Sequence, residues 1–273
     1  MPAAPIEVVA GALIDGAGRI LVAERPAGRS RAGRWELPGG KREPGETPRA
    51  TLHRELEEEL GISVRSARWL INCRYQYPGE DKLVHIDAWR VEAWSGEPRS
   101  LDGQRLQWLA RGELDSVDWL EADLPIVTAL ALPERFVRAT SASAIAAFAR
   151  TPGQRIGWLV PSSARGIAEA IAPGDWLGVI DPGSPFVPGP DSGNVYTPAA
   201  LSTMTAIPDH AGAVIYTRED ARRARARGCA FLLLAGSFAR ETLAEVANLS
   251  LPWYVDDGSQ VLATGQLSWR NSP

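Results

Sequence analysis

Hydrophobic and polar positions in the first half of the chain alternate in a pattern that predicts a mixture of strands and helices. Two apolar runs, residues 6–14 and 19–23, flank the turn sequence Asp15-Gly16-Ala17-Gly18 and predict a β-hairpin. Further strands are predicted at residues 65–75, 83–94 and 106–110. A short apolar run at residues 124–132 predicts a helix, and the Pro-containing stretch up to residue 138 predicts a connection between domains.

The clearest helix is predicted at residues 48–60. Thr47 is a suitable N-cap, and the proline at position 48 suits the first turn. Leucines at positions 52, 56 and 60 form an apolar stripe at spacing four, and Gly61 is a typical end for a helix. These local signals agree on both ends of the helix and on its buried face.

The second half of the chain alternates short apolar runs with longer amphipathic stretches. This βα alternation is typical of a parallel α/β arrangement. Helices are predicted at residues 164–171, 218–227 and 240–246. Six strands are predicted, at residues 156–160, 176–180, 194–196, 213–216, 230–235 and 253–255.

Composition and length favour an ordinary globular protein of two domains. The chain has 273 residues, of which 45% are hydrophobic and 23% charged, which argues against disorder and coiled coils. We divide it into residues 1–132 and 133–273. The formal net charge is −4, and it lies in the first part, which has 21 acidic and 17 basic residues. This balance predicts no duplex nucleic acid partner and no anionic membrane surface.

The cysteines and the apolar runs bear on location. Cys73 and Cys229 are isolated, which fits neither a disulfide framework nor a CxxC metal site. The first ten residues lack the basic region of a signal peptide, and no apolar run is long enough to span a membrane. We therefore expect a soluble cytoplasmic protein, and no required protein partner is evident.

Carboxylates on the predicted helix at residues 48–60 are the main candidates for chemistry. At 100° per residue Glu55, Glu58 and Glu59 share one face beside the leucine stripe, whereas Glu57 points elsewhere. Neither Glu58 nor Glu59 has a Lys or Arg three or four residues later to offset the repulsion between like charges. A solvated acidic face is one interpretation. A bound divalent cation, Mg²⁺ or Mn²⁺, is the other.

The spacing of the whole segment decides between these interpretations. Nine positions are filled at fixed intervals: Gly40, Glu46, Arg54, Glu55, Leu56, Glu58, Glu59, Gly61 and Ile62. The segment thereby fills every position of the Nudix box and resembles the Nudix hydrolases. The resemblance implies an α/β/α sandwich with a mixed sheet and Mg²⁺-dependent hydrolysis of a nucleoside diphosphate linked to another group.

The resemblance also implies roles for the residues of the box. Glu55, Glu58 and Glu59 would bind the metal together with the backbone carbonyl of Gly40, and Arg54 would orient one of these carboxylates. Glu46 more often has a structural role. The metal would neutralise phosphate oxygens and lower the pKa of a bound water molecule that attacks phosphorus.

Residues 6–130 resemble the MutT type of Nudix hydrolase, which converts oxidised dNTPs to dNMP and pyrophosphate and so sanitises the nucleotide pool for DNA replication and repair. On this resemblance Arg25 would contact phosphate. Asp102, in a Leu-Asp-Gly-Gln turn, would be an additional metal ligand or base, with an ordinary loop aspartate as the alternative. Leu37 would touch the base through its main chain, and Lys82 would lie near its ring; ordinary packing or solvation is the alternative for both.

The base-reading position holds Asp123, where MutT enzymes usually have asparagine. An ionised aspartate only accepts hydrogen bonds, whereas asparagine also donates. The Ala-Asp-hydrophobic-Pro version, residues 122–125, resembles the branch that acts on CTP and modified dCTP and also takes oxidised guanine nucleotides. The expected substrate is 8-oxo-dGTP. CTP or modified dCTP is the same-class alternative, and a non-catalytic nucleotide-binding module is the third.

The second domain resembles part of a thiamine-phosphate synthase barrel, chiefly in residues 212–236. About 140 residues are too few for a complete (β/α)₈ barrel of roughly 200 or more, and the loop Asp256-Asp257-Gly258 would repel phosphate. We expect a shortened, TIM-barrel-like α/β domain without synthase activity that binds a ligand or stabilises the first domain.

Overall fold

The computed structural model describes residues 4–149, 155–182, 192–208, 211–235, 238–256 and 261–264. The chain divides into two compact units, Met1–Ala131 and Leu132–Pro273. Among the helices of the described ranges, none has both the length and the apolar character that a membrane crossing requires.

The first unit contains two sheets, two α-helices and two 3₁₀ helices, at Arg111–Ser116 and Glu121–Asp123. Its strands are β1 (Ile6–Leu13), β2 (Ile20–Glu24), β3 (Trp35–Glu36), β4 (Gly39–Lys41), β5 (Ser63–Gln76), β6 (Leu83–Ser95) and β7 (Arg105–Leu109). Its α-helices are α1 (Pro48–Leu60) and α2 (Leu124–Ala131). One sheet has the order β4-β1-β6-β5 and is mixed, because β1 and β6 are parallel and the other pairs antiparallel. The other has the order β3-β2-β7 and is antiparallel.

Strand β1 is buried on both faces from Val9 onward, which explains why this part of its sequence is continuously apolar rather than alternating. Val9 and Leu13 belong to the core cluster that contains the three leucines of α1. Ala10 and Ala12, on the opposite face, belong to the cluster that contains α2 and strand β2. Layers on both sides of the mixed sheet give the α/β sandwich that the sequence predicts.

Helix α1 begins and ends at the residues that the sequence predicts. Thr47 accepts a hydrogen bond from the backbone N–H of Ala50, and Pro48 occupies the first turn. Gly61 ends the helix at φ 68°, a left-handed conformation that glycine adopts without strain. The leucine stripe is fully buried. At roughly 1.5–3 kcal/mol for each buried leucine, this packing outweighs the few tenths of a kcal/mol of repulsion between neighbouring glutamates.

The predicted β-hairpin is wrong. Strands β1 and β2 lie in different sheets. Within the described residues, the segments that contain them pair through a single antiparallel bridge, from Ile14 to Ile20. The turn itself forms, since Asp15 accepts backbone hydrogen bonds from Ala17, Gly18 and Arg19. The chain leaves the turn into a second sheet because β1 pairs along its whole length with β6 and through its central residues, 8–10, with β4.

The second unit is a barrel-like sheet of eight described strands with helices between them. The strands are β8 (Arg135–Arg138), β9 (Gly157–Pro161), β10 (Trp176–Ile180), β11 (Ser192–Tyr196), β12 (Gly212–Ile215), β13 (Phe231–Ala235), β14 (Trp253–Asp256) and β15 (Val261–Thr264). The helices are α3 (Ala142–Ala147), α4 (Pro198–Thr203), α5 (Arg218–Ala226) and α6 (Arg240–Ala247), with a 3₁₀ helix at Ser162–Ala170. Each strand pairs with the next, and β8 pairs with β15, so the sheet closes on itself.

Aromatic rings fill part of the interior of this sheet. Phe136, Trp176, Phe231 and Tyr254 contact one another with ring centroids 4.6–6.3 Å apart. The Tyr254 hydroxyl donates a 2.7 Å hydrogen bond to the carbonyl of Pro133. The rings fit only because glycines lie beneath them at positions 157, 178 and 212, where a Cβ atom would overlap a ring.

Two differences from the sequence-based expectation concern this sheet. The segment Arg135–Arg138, expected to be part of a connection, is strand β8, and β15 was not predicted at all. Strand β15 runs antiparallel to both of its neighbours, unlike the strands of an all-parallel (β/α)₈ barrel. Of the loop expected to repel phosphate, residues 257 and 258 lie outside the described residues.

Candidate active site

A cavity of about 670 Å³ in the first unit collects most of the predicted site residues. Its lining includes these nine of them: Arg25, Leu37, Gly40, Glu55, Glu58, Glu59, Lys82, Asp102 and Asp123. Arg25 follows β2, Leu37 follows β3, Gly40 lies in β4 and the glutamates lie on α1. Lys82 and Asp102 lie in the loops before β6 and β7, and Asp123 ends the 3₁₀ helix Glu121–Asp123. Its remaining lining includes apolar side chains of β1 and β6, so the cavity joins a charged region to an apolar one.

Arg54 lies among the carboxylates of α1 and does not line the cavity. Its Nη1 donates to Glu55 at 2.9 Å and to Glu58 at 3.1 Å, and its Nη2 donates to the carbonyl of Lys41 at 3.0 Å. Nε and Nη2 both bind Glu46, and this contact holds the pKa of the Glu46 carboxyl down at about 2. Arg54 therefore fixes the orientation of two predicted metal ligands at once.

This arrangement corrects one step of the sequence argument. The basic partner of Glu58 is Arg54, which lies one helical turn before it, whereas the sequence-based expectation considered only residues that follow Glu58. The pairing is of the i, i+4 type, which relieves repulsion on a helix face. Within the ranges that the structure describes, no three carboxylate, imidazole or thiol groups are already gathered as a metal-binding group.

The two glycines of β4 bring the backbone against the other carboxylates. The Gly39 N–H donates a 3.0 Å hydrogen bond to Glu59. A Cβ atom at Gly40 would overlap the carboxylate of Glu55. Glycine at this position therefore lets the Gly40 main chain lie beside the Glu55 carboxylate, which a Cβ atom would displace.

The charge of the site suits divalent cations. Seven acidic and five basic side chains line the cavity, which leaves an excess of negative charge. Burial is the main cause that raises the pKa of Glu59 to about 7, and the nearby charges of Glu36, Glu55 and Asp102 raise it further. Closely spaced carboxylates that destabilise one another's ionised forms fit a divalent cation in chemical type and charge.

Arg25 is held in place by two contacts. Its Nη1 pairs with Glu36 and its Nε donates to the carbonyl of Ser30 at 2.9 Å. Burial raises the pKa of Glu36 despite the adjacent guanidinium. Arg25 thus presents a positioned positive charge to the cavity, as its predicted phosphate contact requires.

Asp123 and Leu37 form a buried polar pair within the cavity lining. Asp123 Oδ2 accepts a 3.0 Å hydrogen bond from the Leu37 N–H, although 86 residues separate them in sequence. Asp123 is 4% exposed, and burial raises the pKa of its carboxyl to about 7. Near neutral pH the group is therefore partly a neutral acid, which both donates and accepts hydrogen bonds.

Lys82 and Asp102 line more open parts of the cavity. Lys82 is largely exposed and lies 3.5 Å from Glu80. Asp102 lies in the loop before β7, half exposed, with an oxygen 4.0 Å from Nη2 of Arg29. Both residues line the cavity, and both side chains are substantially exposed.

Sequence reasoning missed three residues that line the cavity, Arg29, Arg31 and Tyr77. Arg31 stacks on the ring of Tyr77 and pairs with Glu80. No motif spacing links these residues, because they come from two separate loops. A basic, glycine-containing loop directly before β3 is the only signal in the sequence that could have suggested Arg29 and Arg31.

The fold and the cavity define a class of protein: an α/β sandwich whose acidic helix faces a nucleotide-sized cavity. Comparison with known proteins agrees, since the NUDIX domain profile matches residues 5–136. The chain belongs to the Nudix hydrolase family. Members of this family generally use divalent metal ions.

Three relatives show how far the similarity extends. A protein of Mycobacterium tuberculosis (strain ATCC 25618 / H37Rv), named "Putative 8-oxo-dGTP diphosphatase 2", is 46% identical over 120 residues, which are 42% of this chain and 81% of that protein. The CTP pyrophosphohydrolase of Escherichia coli (strain K12) is 39% identical over 45% of this chain and 90% of its own length. The 8-oxo-dGTP diphosphatase of the same strain is 32% identical over 46% and 95%.

Two solved structures are also similar. The solution structure of the E. coli ORF135 protein shares 37% identity with a TM-score of 0.41, covering 45% of this chain and 86% of that chain. The crystal structure of the MutT Nudix hydrolase from Burkholderia pseudomallei shares 30% identity with a TM-score of 0.41, covering 47% and 97%. Each of these alignments covers less than half of the chain, and the similarity to thiamine-phosphate synthase is not among these findings.

Proposed function

We propose that this Nudix hydrolase is a Mg²⁺-dependent nucleoside triphosphate pyrophosphohydrolase that converts 8-oxo-dGTP to 8-oxo-dGMP and pyrophosphate. The observation that carries the proposal is the shared cavity, which is lined both by the carboxylates of α1 and by the buried pair of Asp123 and Leu37. The first group suits a metal-bound triphosphate and the second a base edge. Two of the relatives carry the name of this activity.

The residues of the box would hold the cofactor. Glu55, Glu58, Glu59 and the carbonyl of Gly40 are the proposed ligands of Mg²⁺, with Mn²⁺ as a substitute. The bound cation would neutralise phosphate oxygens and lower the pKa of a water molecule. Arg54 keeps Glu55 and Glu58 in orientation through its two hydrogen bonds.

Other residues of the cavity would position the substrate. Arg25, which Glu36 holds, supplies a cation for phosphate oxygens. Asp102 supplies a further acidic group, as an additional ligand or as a base for the attacking water molecule. Lys82 would approach the base from the exposed side. The Leu37 main chain and the Asp123 carboxyl face the base edge.

A second candidate substrate is CTP or a modified dCTP. The CTP pyrophosphohydrolase of E. coli is more similar to this chain than the 8-oxo-dGTP diphosphatase of the same strain, at 39% against 32% identity. Asp123 is compatible with the same candidate, because its ionised form accepts a hydrogen bond from the exocyclic amino group of cytosine.

One experiment distinguishes the candidates. The purified chain is incubated with Mg²⁺ and 8-oxo-dGTP, dGTP, CTP or 5-methyl-dCTP, and both monophosphate and pyrophosphate are measured. We expect the highest kcat/KM for 8-oxo-dGTP. A higher value for the cytosine nucleotides would select the second candidate. Absence of turnover with every nucleotide would leave the third hypothesis, a non-catalytic nucleotide-binding module.

We also propose that the second unit lacks thiamine-phosphate synthase activity. The barrel contains an antiparallel strand, and aromatic rings occupy part of its interior. An assay that supplies the two substrates of that synthase and measures thiamine phosphate tests this proposal; formation of the product above a no-protein control would refute it. The cytoplasmic location and the lack of a required protein partner stay predictions.

A further inference from the structure

Arg31 and Tyr77 form a stacked pair in the cavity lining. The guanidinium carbon of Arg31 lies 3.6 Å from the centroid of the Tyr77 ring. The tyrosine is buried at 8% exposed, whereas the Arg31 side chain is 24% exposed. Both residues line the cavity.

The polar contacts of Arg31 are made by the edge of its guanidinium. Nη2 donates to Glu80 at 2.6 Å, Nη1 donates to Oγ of Ser30 at 3.0 Å, and Nε lies 3.9 Å from Glu121. A planar guanidinium can donate along its edge while its faces stack on flat groups. Tyr77 takes one face of the Arg31 guanidinium, so a stacked ligand would use the second face.

The backbone around Arg31 holds this orientation. Arg31 has φ 59°, in the left-handed region that residues with a side chain rarely adopt. The loop is closed by a 3.0 Å hydrogen bond from the Gly33 N–H to the Arg25 carbonyl and by the bond from Arg25 Nε to Ser30. Strained residues of this kind persist where the surrounding contacts over-determine them, and a pre-ordered contact costs less entropy when a ligand binds.

The surroundings of the pair suit a flat, uncharged ring more than a phosphate group. The positive charge of Arg31 is already paired with Glu80 and lies near Glu121, so it offers less attraction to an anion than the exposed Arg29 does. Tyr77 also lies close enough to Asp123 for the charge of that carboxyl to act on its hydroxyl. The apolar part of the same lining includes Ile6, Val8, Leu37, Val84 and Ile86.

We propose that Arg31, supported from behind by Tyr77, is a specificity-determining residue on whose guanidinium face the nucleobase of the substrate stacks. The proposal rests on the proposed function in requiring a nucleotide as the ligand. Arginine guanidinium planes stack on nucleobases, and the gain grows with the area of the ring. A platform of this kind favours purine over pyrimidine nucleotides, independently of how Asp123 reads the base edge.

The test compares Arg31→Lys with the wild type. Lysine keeps the positive charge and can still reach Glu80, but it has no planar face. We expect KM for 8-oxo-dGTP to rise about tenfold and KM for CTP to rise less, with kcat nearly unchanged. Arg34→Lys is the matched control, because Arg34 pairs with Asp118 and Glu121 in the same loop region and does not line the cavity.

A base-free ligand separates stacking from a structural role. Inhibition constants are measured for 8-oxo-dGMP and for deoxyribose 5-phosphate, which lacks the base. Stacking predicts that Arg31→Lys weakens only 8-oxo-dGMP, by about tenfold. Equal weakening of both ligands, or weakening of neither, would overturn the proposal.

Variants of the tyrosine give a second line of evidence. Tyr77→Phe keeps the ring that supports Arg31, whereas Tyr77→Leu removes it, so only the leucine variant should reproduce the loss of purine preference. If the two variants behave alike, the stack has no part in base selection. Binding of the monophosphates to the wild type is also measured directly by calorimetry, which does not depend on turnover. Absence of turnover, which would refute the proposed function, can then be distinguished from failure of the platform.

Discussion

The guanidinium of Arg54 binds the carboxylate of Glu46 in a two-point contact, with Nε 2.8 Å from Oε1 and Nη2 3.0 Å from Oε2. Glu46 also accepts from the Thr51 hydroxyl and the Glu43 N–H. Nη1 of Arg54 takes no part in this contact and donates instead to the α1 carboxylates Glu55 and Glu58. Glu46 therefore contacts the α1 carboxylates only through Arg54, and it does not line the cavity.

Glu46→Gln tests this indirect role. Glutamine has the same shape but loses the charge-assisted pairing, so Arg54 should orient the metal ligands less well. We expect the Mg²⁺ concentration for half-maximal turnover to rise roughly tenfold, with a smaller effect on maximal turnover. Glu57→Gln, an exposed position on the same helix, is the control. Equal metal requirements in the two variants would show that Glu46 has no such role.

Glu58→Gln tests the metal ligand assignment directly. The Glu58 side chain is 59% exposed, so its replacement should leave the unfolding temperature nearly unchanged. Turnover that depends on Mg²⁺ should be lost, with a fall of at least about 100-fold. Pyrophosphate release measures turnover, and a circular dichroism spectrum shows whether the variant is folded. Persistent activity in a folded variant would mean that the ligand assignment is wrong.

Gly40→Ala tests the close approach of β4 to α1. The new methyl group would overlap the Glu55 carboxylate, so that side chain must move away from the Gly40 main chain. Because the overlapped atoms are at the end of a flexible side chain, we expect a clear fall in turnover with only a small loss of stability. Gly112→Ala is the matched control, because a Cβ atom there meets nothing within 4 Å. Similar thermal unfolding and turnover in both variants would contradict the argument.

Asp123→Asn tests base selection. Asparagine can still accept the Leu37 N–H through its carbonyl oxygen, while its amide group donates to the base. We expect the ratio of kcat/KM for 8-oxo-dGTP to that for 5-methyl-dCTP to rise. Asp118→Asn, an exposed position nearby, serves as the control. An unchanged ratio would remove Asp123 from the account of specificity.

The same variant tests the pH dependence of stability. The pKa of Asp123 is raised from 3.8 to about 7 by burial, so between these values the folded chain binds more protons than the unfolded chain. The contribution of Asp123 to the free energy of unfolding of the wild type should therefore fall as the pH rises through this window. The asparagine side chain does not titrate, so the unfolding temperature of the Asp123→Asn variant, relative to that of the wild type, should rise from about pH 5 to about pH 8. A constant difference, measured by scanning calorimetry, would show that Asp123 does not titrate in this range.

The helix that carries the metal-ligand candidates was predictable from sequence because its determinants are local. The cap at Thr47, the leucine stripe and Gly61 act over one to four residues, and the same spacing places Glu55, Glu58 and Glu59 on one face. The central strands of the second unit were predictable for a similar reason, since buried parallel strands are short, apolar and separated by helices.

Pairings between distant segments were not predictable in this way. The predicted hairpin does not form because β1 pairs with β6 and β4 rather than with β2, the strand that follows it. Strand β15 was missed because its role, closing the sheet between β14 and β8, depends on a partner more than 120 residues away. Periodicity reports which face of a segment is buried and carries no information about which segment covers it.

The sequence by itself determined the chemistry of the site: the carboxylates, the glycine beside them and the arginine that orients them, all within 20 residues of one another. Only the tertiary structure decided which other residues line the cavity together with these groups. The hydrogen bond between Leu37 and Asp123 and the stack of Arg31 on Tyr77 join positions 86 and 46 residues apart. Such contacts form because burial of the sheet's two faces brings separate loops to one cavity, a condition that no local pattern expresses.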